Sequence, residues 1–493
     1  MFMIRKIKYI LALLLVLFSL NSSAQNSQVL YFMNLPQRHL LNPALTPTNS
    51  VYIGLPVLSG INLNVNNNFF NFSDVFIKGV VADSLVTFLH PDYDPAKFLA
   101  KIKDINSIEP EVQVQLFSLG FRAGKDLYIY FDINERVDAN VALPGDIFRL
   151  ALAGNEQFLG STIDLSSLRG DLMSYTEIGL GFSKNFTSKL RLGIRPKILL
   201  GLADASIENN SLGITVNNDY THTLNADLMV NFSAPVTVYT SGQNSFDSIK
   251  FDDSRFKTGK DILDYILNTK NLGFGVDIGG EYSFSDKFKI SAAVTDIGYI
   301  KWKRDISNLK AKSMFTFSGV NLLDVYNGTM TFDSLGKEML DSLKKSFYLT
   351  NVSTPFTTTL PIGVTLGGSY NLTKSFSIGL LSYTKFIGKQ YKEALTLSAN
   401  VNFGNAFSTT LAYTAMNNRY DNLGFGMSFR TGWLQFYLLA DRIPVTWNKI
   451  KIDSSTTIPL PDSWNTVQVR LGMNLCFGNK LKKKNDKPMV IVQ

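Results

Sequence analysis

The chain has 493 residues, with 48 Lys and Arg against 40 Asp and Glu, three His and one Cys. Charged residues make up 18% and aromatics 12%, and mean hydropathy is +0.05. So little charge excludes a disordered, solvated chain. A lone Cys excludes a disulfide scaffold and a Cys-based zinc or iron–sulfur site. His39, His90 and His222 lie too far apart in sequence to suggest a His-rich metal site.

The N-terminus reads as an export signal. Arg5, Lys6 and Lys8 precede the apolar run Tyr9 to Leu20, and Ser22-Ser23-Ala24 supplies small residues for cleavage before Gln25. The apolar run is too short to span a membrane as a helix. Residue 25 is Gln, so no lipid-bearing N-terminal cysteine is available. The other excess of positive charge lies at 480–493, where Lys480, Lys482, Lys483, Lys484 and Lys487 face Asp486 alone. Residues 25–479 are therefore close to neutral. A nucleic-acid binder would carry its positive charge on the body of the protein, so nucleic acid is not expected as a partner.

Residues 31–50 (YFMNLPQRHLLNPALTPTNS) are irregular and proline-rich, and 91–103 look helical. The 31–50 stretch suits a plug, a periplasmic arm or a loop. Further on, the chain alternates over unusual lengths. Leu190, Leu192, Ile194, Ile198, Leu200 and Leu202 share one parity, while Arg191, Arg195 and Lys197 share the other. In a strand these are opposite faces. The pattern recurs at 127–138, 174–184, 223–233, 273–284, 288–302, 395–403 and 467–477. Soluble strands usually run about 5–6 residues, whereas a tilted membrane strand needs about 9–11.

Between strands a turn repeats. Tyr282 to Phe288 (YSFSDKF), Tyr370 to Phe376 (YNLTKSF), Phe182 to Leu190 and Phe403 to Phe407 are short polar turns bracketed by apolar, mostly aromatic residues. They fit tight periplasmic turns at an aromatic girdle. Longer connections at 234–272 and 304–356 suit extracellular loops. Thr258 to Asn268 reads as a capped helix, Ser334 to Lys345 as a second, and Pro144 to Ala153 as a third.

The expected fold is all-β: a single antiparallel transmembrane β-barrel of about 14 strands (12–16), with a few short helices in loops and an irregular N-terminal segment. The expected organisation is a signal peptide at 1–24, then an irregular, plug-like segment at 25–110 with room for a first strand. The barrel occupies 111–479, with long loops at 234–272 and 304–356, and a basic disordered tail follows at 480–493. If apolar positions face lipid, Arg191, Arg195, Lys197, Asp227, Asp277, Glu281 and Arg470 face the lumen. Cys476 shares the parity of Arg470 and is expected as a shielded thiol. His222 stands near a predicted strand end and is the one loop histidine weighed as a catalytic base. No nucleophile motif accompanies it, so no enzyme, catalytic residue, metal or cofactor is expected.

Three stretches carry a resemblance: Met33 to Gln37 with Asn42-Pro43-Ala44, Tyr52 to Pro56, and Val294 to Trp302 (VTDIGYIKW). They resemble a bacterial family of unknown function that looks like outer-membrane barrels of the long-chain fatty-acid transporter type. That superfamily includes fatty-acid and aromatic-hydrocarbon transporters, and barrel subunits that shuttle cargo in type IX secretion. The Asn42-Pro43-Ala44 triplet is similar to one near the N-terminus of several such barrels. The resemblance implies an outer-membrane channel or transporter for small, hydrophobic molecules, exported by the general secretory pathway. Its expected partners are outer-membrane lipid, a small hydrophobic ligand and a secretion or surface protein. The alternative is a non-enzymatic scaffold or secretion adaptor that binds partner proteins through its loops.

Overall fold

The computed structural model describes residues 28–478 apart from 79–84, 88–89, 91–92, 242–244, 318–336, 338–340, 343–344, 389, 417–418, 444–446, 452–456 and 462–465. The signal-peptide segment 1–24, the tail at 480–493 and most of the expected 334–345 helix lie outside the described residues.

Apart from two separate hairpins, Phe76–Lys78 with Leu85–Thr87 and Trp447–Lys451 with Thr457–Pro461, strands are numbered along the chain, with two broken strands each counted once. They are β1 (Val51–Gly54 and Ile61–Asn67), β2 (Ile105–Ala123), β3 (Leu127–Pro144), β4 (Ser161–Asp164), β5 (Arg169–Asn185), β6 (Leu190–Val216) and β7 (His222–Ser233). Next come β8 (Val236–Ser241), β9 (Ser245–Phe251), β10 (Leu272–Ser283), β11 (Phe288–Trp302), β12 (Ile306–Phe317) and β13 (Tyr348–Val352). The last group is β14 (Phe356–Thr359 and Ile362–Asn371), β15 (Phe376–Ile387), β16 (Gln390–Phe403), β17 (Phe407–Met416), β18 (Arg419–Thr431), β19 (Leu434–Ala440) and β20 (Thr466–Phe477).

Fourteen of these form a closed antiparallel barrel: β1, β2, β3, β5, β6, β10, β11 and β14 to β20. Closure comes from β1, which pairs with β2 on one side and β20 on the other. A closed barrel leaves no unpaired edge in lipid, which is why a chain of long two-faced strands adopts it. Alternation sorts the faces. On β16, Leu397 points out while Thr396, Ser398 and Asn400 are buried inside. An outer-membrane barrel of 14 strands is the result, and no described helix is long and apolar enough to cross a membrane.

Three of the four repeated short turns share one mechanism. Thr187, Ser285 and Thr373 each sit just after the aromatic or leucine that opens the turn. Their hydroxyls accept the backbone N–H groups two and three residues on: Lys189 and Leu190, Lys287 and Phe288, Ser375 and Phe376, at 2.9–3.3 Å. The side chain thus supplies acceptors that the turn backbone lacks. Phe284 and Phe288 stack across their turn with centroids 5.4 Å apart. These short turns mark the periplasmic end.

The other end departs from expectation. The alternation at 223–233 predicts a wall strand, but β7 belongs to an extension above the wall. There β6 runs on past the membrane strands and pairs with β7 through Asp204–Val216. β7 pairs with β12, and β12 with β13. β13 meets β9, and β9 pairs with β8. The described parts of the connections at 234–272 and 304–356 therefore include paired strands that continue the sheet above the wall. The expected helix near 258 is present as Gly259–Ile266, closed by a capping box in which Thr258 and Asp261 exchange hydrogen bonds. A second short helix, Gly145–Ala153, ends at Gly154 with φ 83°.

Candidate functional site

The N-terminal segment lies inside the barrel and fills its lower lumen. A short helix, Gln28–Phe32, is followed by a 3-10 turn, Pro36–Leu40. Both lie among wall residues: Val29, Leu30, Met33 and Leu35 form one buried cluster with Leu381, Ala412, Tyr437 and Leu439. The Val29 N–H donates to Asp441 Oδ1 at 2.7 Å, and Gln37 Nε2 donates to Asn474 Oδ1 at 2.8 Å. Residues 28–50, which include the 31–50 stretch, lie inside the barrel against its wall, the placement that the plug reading expects.

Asn42-Pro43-Ala44 anchors it. Asn42 Nδ2 donates to the carbonyls of Gly280 and Ala292 at 3.3 Å, and Asn42 Oδ1 accepts the Ala44 N–H at 2.9 Å. The Pro43 carbonyl accepts Tyr130 Oη at 3.1 Å, and the Ala44 carbonyl accepts Ser183 Oγ at 3.0 Å. The triplet thus turns irregular backbone polar groups toward wall donors and acceptors that would otherwise be unpaired. Room for it comes from missing side chains. A Cβ at Gly193 would lie 2.3 Å from the Pro43 carbonyl carbon, and one at Gly367 would lie 2.3 Å from Tyr31 Oη.

Above the plug stands a cluster of ion pairs. The Arg195 guanidinium reaches Asp132, Glu177 at 2.5 Å and Asp277 at 2.8 Å. Lys197 Nζ reaches Asp296 at 2.5 Å, Asp277 at 2.7 Å and Glu177 at 3.3 Å. Arg136 adds contacts to Asp296 at 3.1 Å and Glu177 at 3.4 Å. His39, carried on the plug, places Nε2 3.1 Å from Asp132. Four carboxylates thus meet three cations, with Asp132, Glu177, Arg195, Lys197 and Asp277 almost fully buried. Charge-assisted, partly bidentate bonds offset the desolvation that isolated buried charges would incur.

Asp296 enters through a bulge. It has φ 61°, a left-handed conformation unusual for Asp, and its N–H donates to Asp277 Oδ1 at 2.7 Å. The β10–β11 register shifts at this point. Before the bulge, Ser291, Ala293 and Thr295 are buried; after it, Ile300 and Trp302 are. The parity has flipped, and the stretch Val294 to Trp302 gains its structural meaning from that flip.

Toward the extracellular end the lumen widens into a cavity of about 220 Å³, bordered by Asn64, Glu111, Asp138, Asp204, Lys385 and Lys392, among others. Lys385 Nζ lies 3.2 Å from Glu111, and Lys392 pairs with Glu109. A second polar space of about 430 Å³ continues from it past Arg169, Asp171, Ser206 and Thr358. On the other face of β6 lies a different cavity. Ala205 follows Asp204, so its side chain points the opposite way. It borders a space of about 510 Å³ with Val230, Phe232, Ile249, Leu309 and Leu349, and all ten lining residues are apolar.

The expected lumen residues fall in four places. Arg195, Lys197 and Asp277 meet in the central cluster, and Arg470 is buried higher up, donating to Gln113 Oε1 at 3.0 Å. Arg191 and Glu281 pair at 3.6 Å close to the periplasmic turns. Asp227 is a correction: it lies on β7 in the extension, 3.1 Å from Lys312, because β7 is not a wall strand. His222 likewise opens β7, with Nε2 3.3 Å from Asn155 Nδ2, rather than standing at the barrel rim. Cys476 is buried and free. Among the described residues, no group of three or more His, Cys, Asp or Glu is placed to hold a metal ion.

Sequence reasoning missed Asp132, Arg136, Glu177 and Asp296. The same parity rule applied to 127–138 gives Asp132 and Arg136 with Tyr128 and Tyr130, and applied to 174–184 it gives Glu177. Asp296 has no such signal, since a bulge leaves no trace in alternation.

Several solved structures are similar to this chain over most of its length. The toluene transporter TbuX of Ralstonia pickettii is 10% identical, with 93% of this chain and 100% of that chain covered, at a TM-score of 0.40. A FadL homologue of Pseudomonas aeruginosa is 9% identical over 93% and 100%, also at 0.40. The CymD monoaromatic hydrocarbon channel is 9% identical over 94% and 99%, at 0.39. At such values the barrel rests on its own strand pairing. No curated protein sequence matches the chain. A family model, described as a family of unknown function (DUF5723), matches residues 43–441, from the plug's anchoring proline to the end of the wall's thirteenth strand. The chain belongs to that family.

Proposed function

We propose that this outer-membrane barrel is a channel or transporter for small hydrophobic molecules, delivered to the membrane by the general secretory pathway. The observation that carries the reading is the cavity of about 510 Å³ in the extension, bordered by apolar residues alone. Such a space suits an apolar ligand and gives a polar one nothing to bond. It lies on the face of β6 turned away from the ion-paired lumen, so apolar cargo need not cross buried charges. The printed titles of TbuX and CymD name hydrocarbon cargo, which agrees with the reading.

The test is binding of toluene and of a fatty acid to the purified full chain in lipid nanodiscs, with Ala311→Trp as the variant that fills the cavity. The expected result is binding that Ala311→Trp abolishes while the barrel keeps its heat-modifiable migration. Binding that ignores the substitution overturns it.

A second reading is favoured by the filled floor of the lumen: the barrel as an anchor for partner proteins. Gentle extraction from the native outer membrane followed by mass spectrometry separates the two. An enriched small molecule supports transport, and a stoichiometric protein partner without one supports the anchor. Neither reading gives His222 or any other residue a catalytic role.

A further inference from the structure

The geometry points to a site for a small organic cation, an alkylammonium with an apolar body, in the polar cavity at the extracellular end of the lumen. Asp204 carries the argument. Its side chain is 2% exposed, and Oδ2 accepts from Thr358 Oγ1 at 3.1 Å. Thr358 is itself oriented, because its Oγ1 accepts from Trp302 Nε1 at 3.0 Å. The other oxygen, Asp204 Oδ1, has no partner, although Asp204 borders the cavity. Asn64 borders the same cavity at 5% exposure, and its Oδ1 is also unpartnered.

The cations around the cavity are engaged elsewhere. Lys385 lies between Glu111 and Asp138, Lys392 meets Glu109, and Arg169 lies 3.7 Å from Asp171. Among the described residues Asp204 has no ion pair. A buried carboxylate without a counter-charge is costly, and a buried acceptor without a donor adds to the cost. Four buried oxygens of residues bordering the cavity, on Asn64, Glu109, Asp138 and Asp204, lack a hydrogen-bond partner, that of Glu109 being ion-paired with Lys392. All are acceptors, so the missing group is a donor; beside the unpaired Asp204 carboxylate a cationic donor fits best. Leu172, Met173, Pro361 and Ile387 complete the lining and suit an apolar body on that cation. A metal ion fits less well, since no group of three ligands is gathered among the described residues. The site stands whether the barrel transports or anchors.

The probe is 2-phenylethylamine, with 2-phenylethanol as its neutral counterpart. Both are titrated calorimetrically into the full chain in nanodiscs of zwitterionic lipid at neutral pH. The amine is expected to bind at least about tenfold tighter than the alcohol, the scale of one charge-assisted hydrogen bond. Asp204→Asn is expected to remove that preference, and Asp227→Asn, in the extension, to leave it intact. Equal binding of amine and alcohol, no amine binding, an unchanged preference in Asp204→Asn, or tight binding of magnesium ion in place of the amine would each overturn the site. The wild-type comparison decides the matter even where Asp204→Asn folds poorly.

Discussion

Arg195 and Asp204 lie on the same strand, β6, and both are almost fully buried, yet their surroundings are opposite. Arg195 meets three carboxylates, and the plug's His39 shares one of them. Asp204 meets a threonine hydroxyl and leaves one oxygen bare. Around Arg195 the interior is therefore finished, since the protein's own groups answer every charge of the cluster, although Arg38 Nε and Arg122 Nε elsewhere in the lower lumen lack a hydrogen-bond partner. The upper lumen is unfinished and keeps space beside its unanswered acceptors. Buried charge serves as filling in the first place and as an invitation in the second.

The largest expected effect comes from breaking the finished level. Arg195→Met leaves Asp132, Glu177 and Asp277 short of their main cation, and should cost about 3–5 kcal/mol. Urea unfolding of the barrel in lipid vesicles measures it, and an unchanged midpoint would contradict the closed cluster. The plug comes next. Asn42→Ala removes the donor to Gly280 and Ala292 and the acceptor for Ala44, a loss of about 1–3 kcal/mol. Hydrogen exchange should then rise in residues 28–50 before it rises in the wall. Asp204→Asn sharpens the contrast. Because no cation is lost, it should cost less than about 1 kcal/mol, in contrast to Asp132→Asn, which removes a carboxylate bound to Arg195 and beside His39. Similar costs for the two would erase the distinction between the levels. The smallest effect lies outside both: Thr258→Ala removes a helix cap, about 1 kcal/mol locally. It should raise exchange in 259–266 and leave the barrel midpoint where it is.

Much of the wall was legible because lipid and lumen impose a strict two-residue period. Arg195, Lys197 and Asp277 followed from parity alone. The repeat of short polar turns bracketed by aromatic residues marked the periplasmic end, whereas the part played by Thr187, Ser285 and Thr373 follows from the structure. Asp227 misled because an extension strand that packs one apolar face alternates just as a membrane strand does. Asp296 was hidden by the bulge. The plug was only one of three readings, since its fit depends on Gly193, Gly279 and Gly367, residues remote in sequence that leave space rather than make contacts. The Asp204 site lay beyond reach as well: a single unanswered oxygen is a property of packing.

The most direct test of a lumen closed below and receptive above is ion conductance of the purified wild-type chain in a planar bilayer. Compared with the same chain lacking residues 28–46, the wild type should show no steady conductance, and the unplugged chain should show flickering openings. A steady, porin-like conductance from the intact wild type would contradict the closed lower lumen.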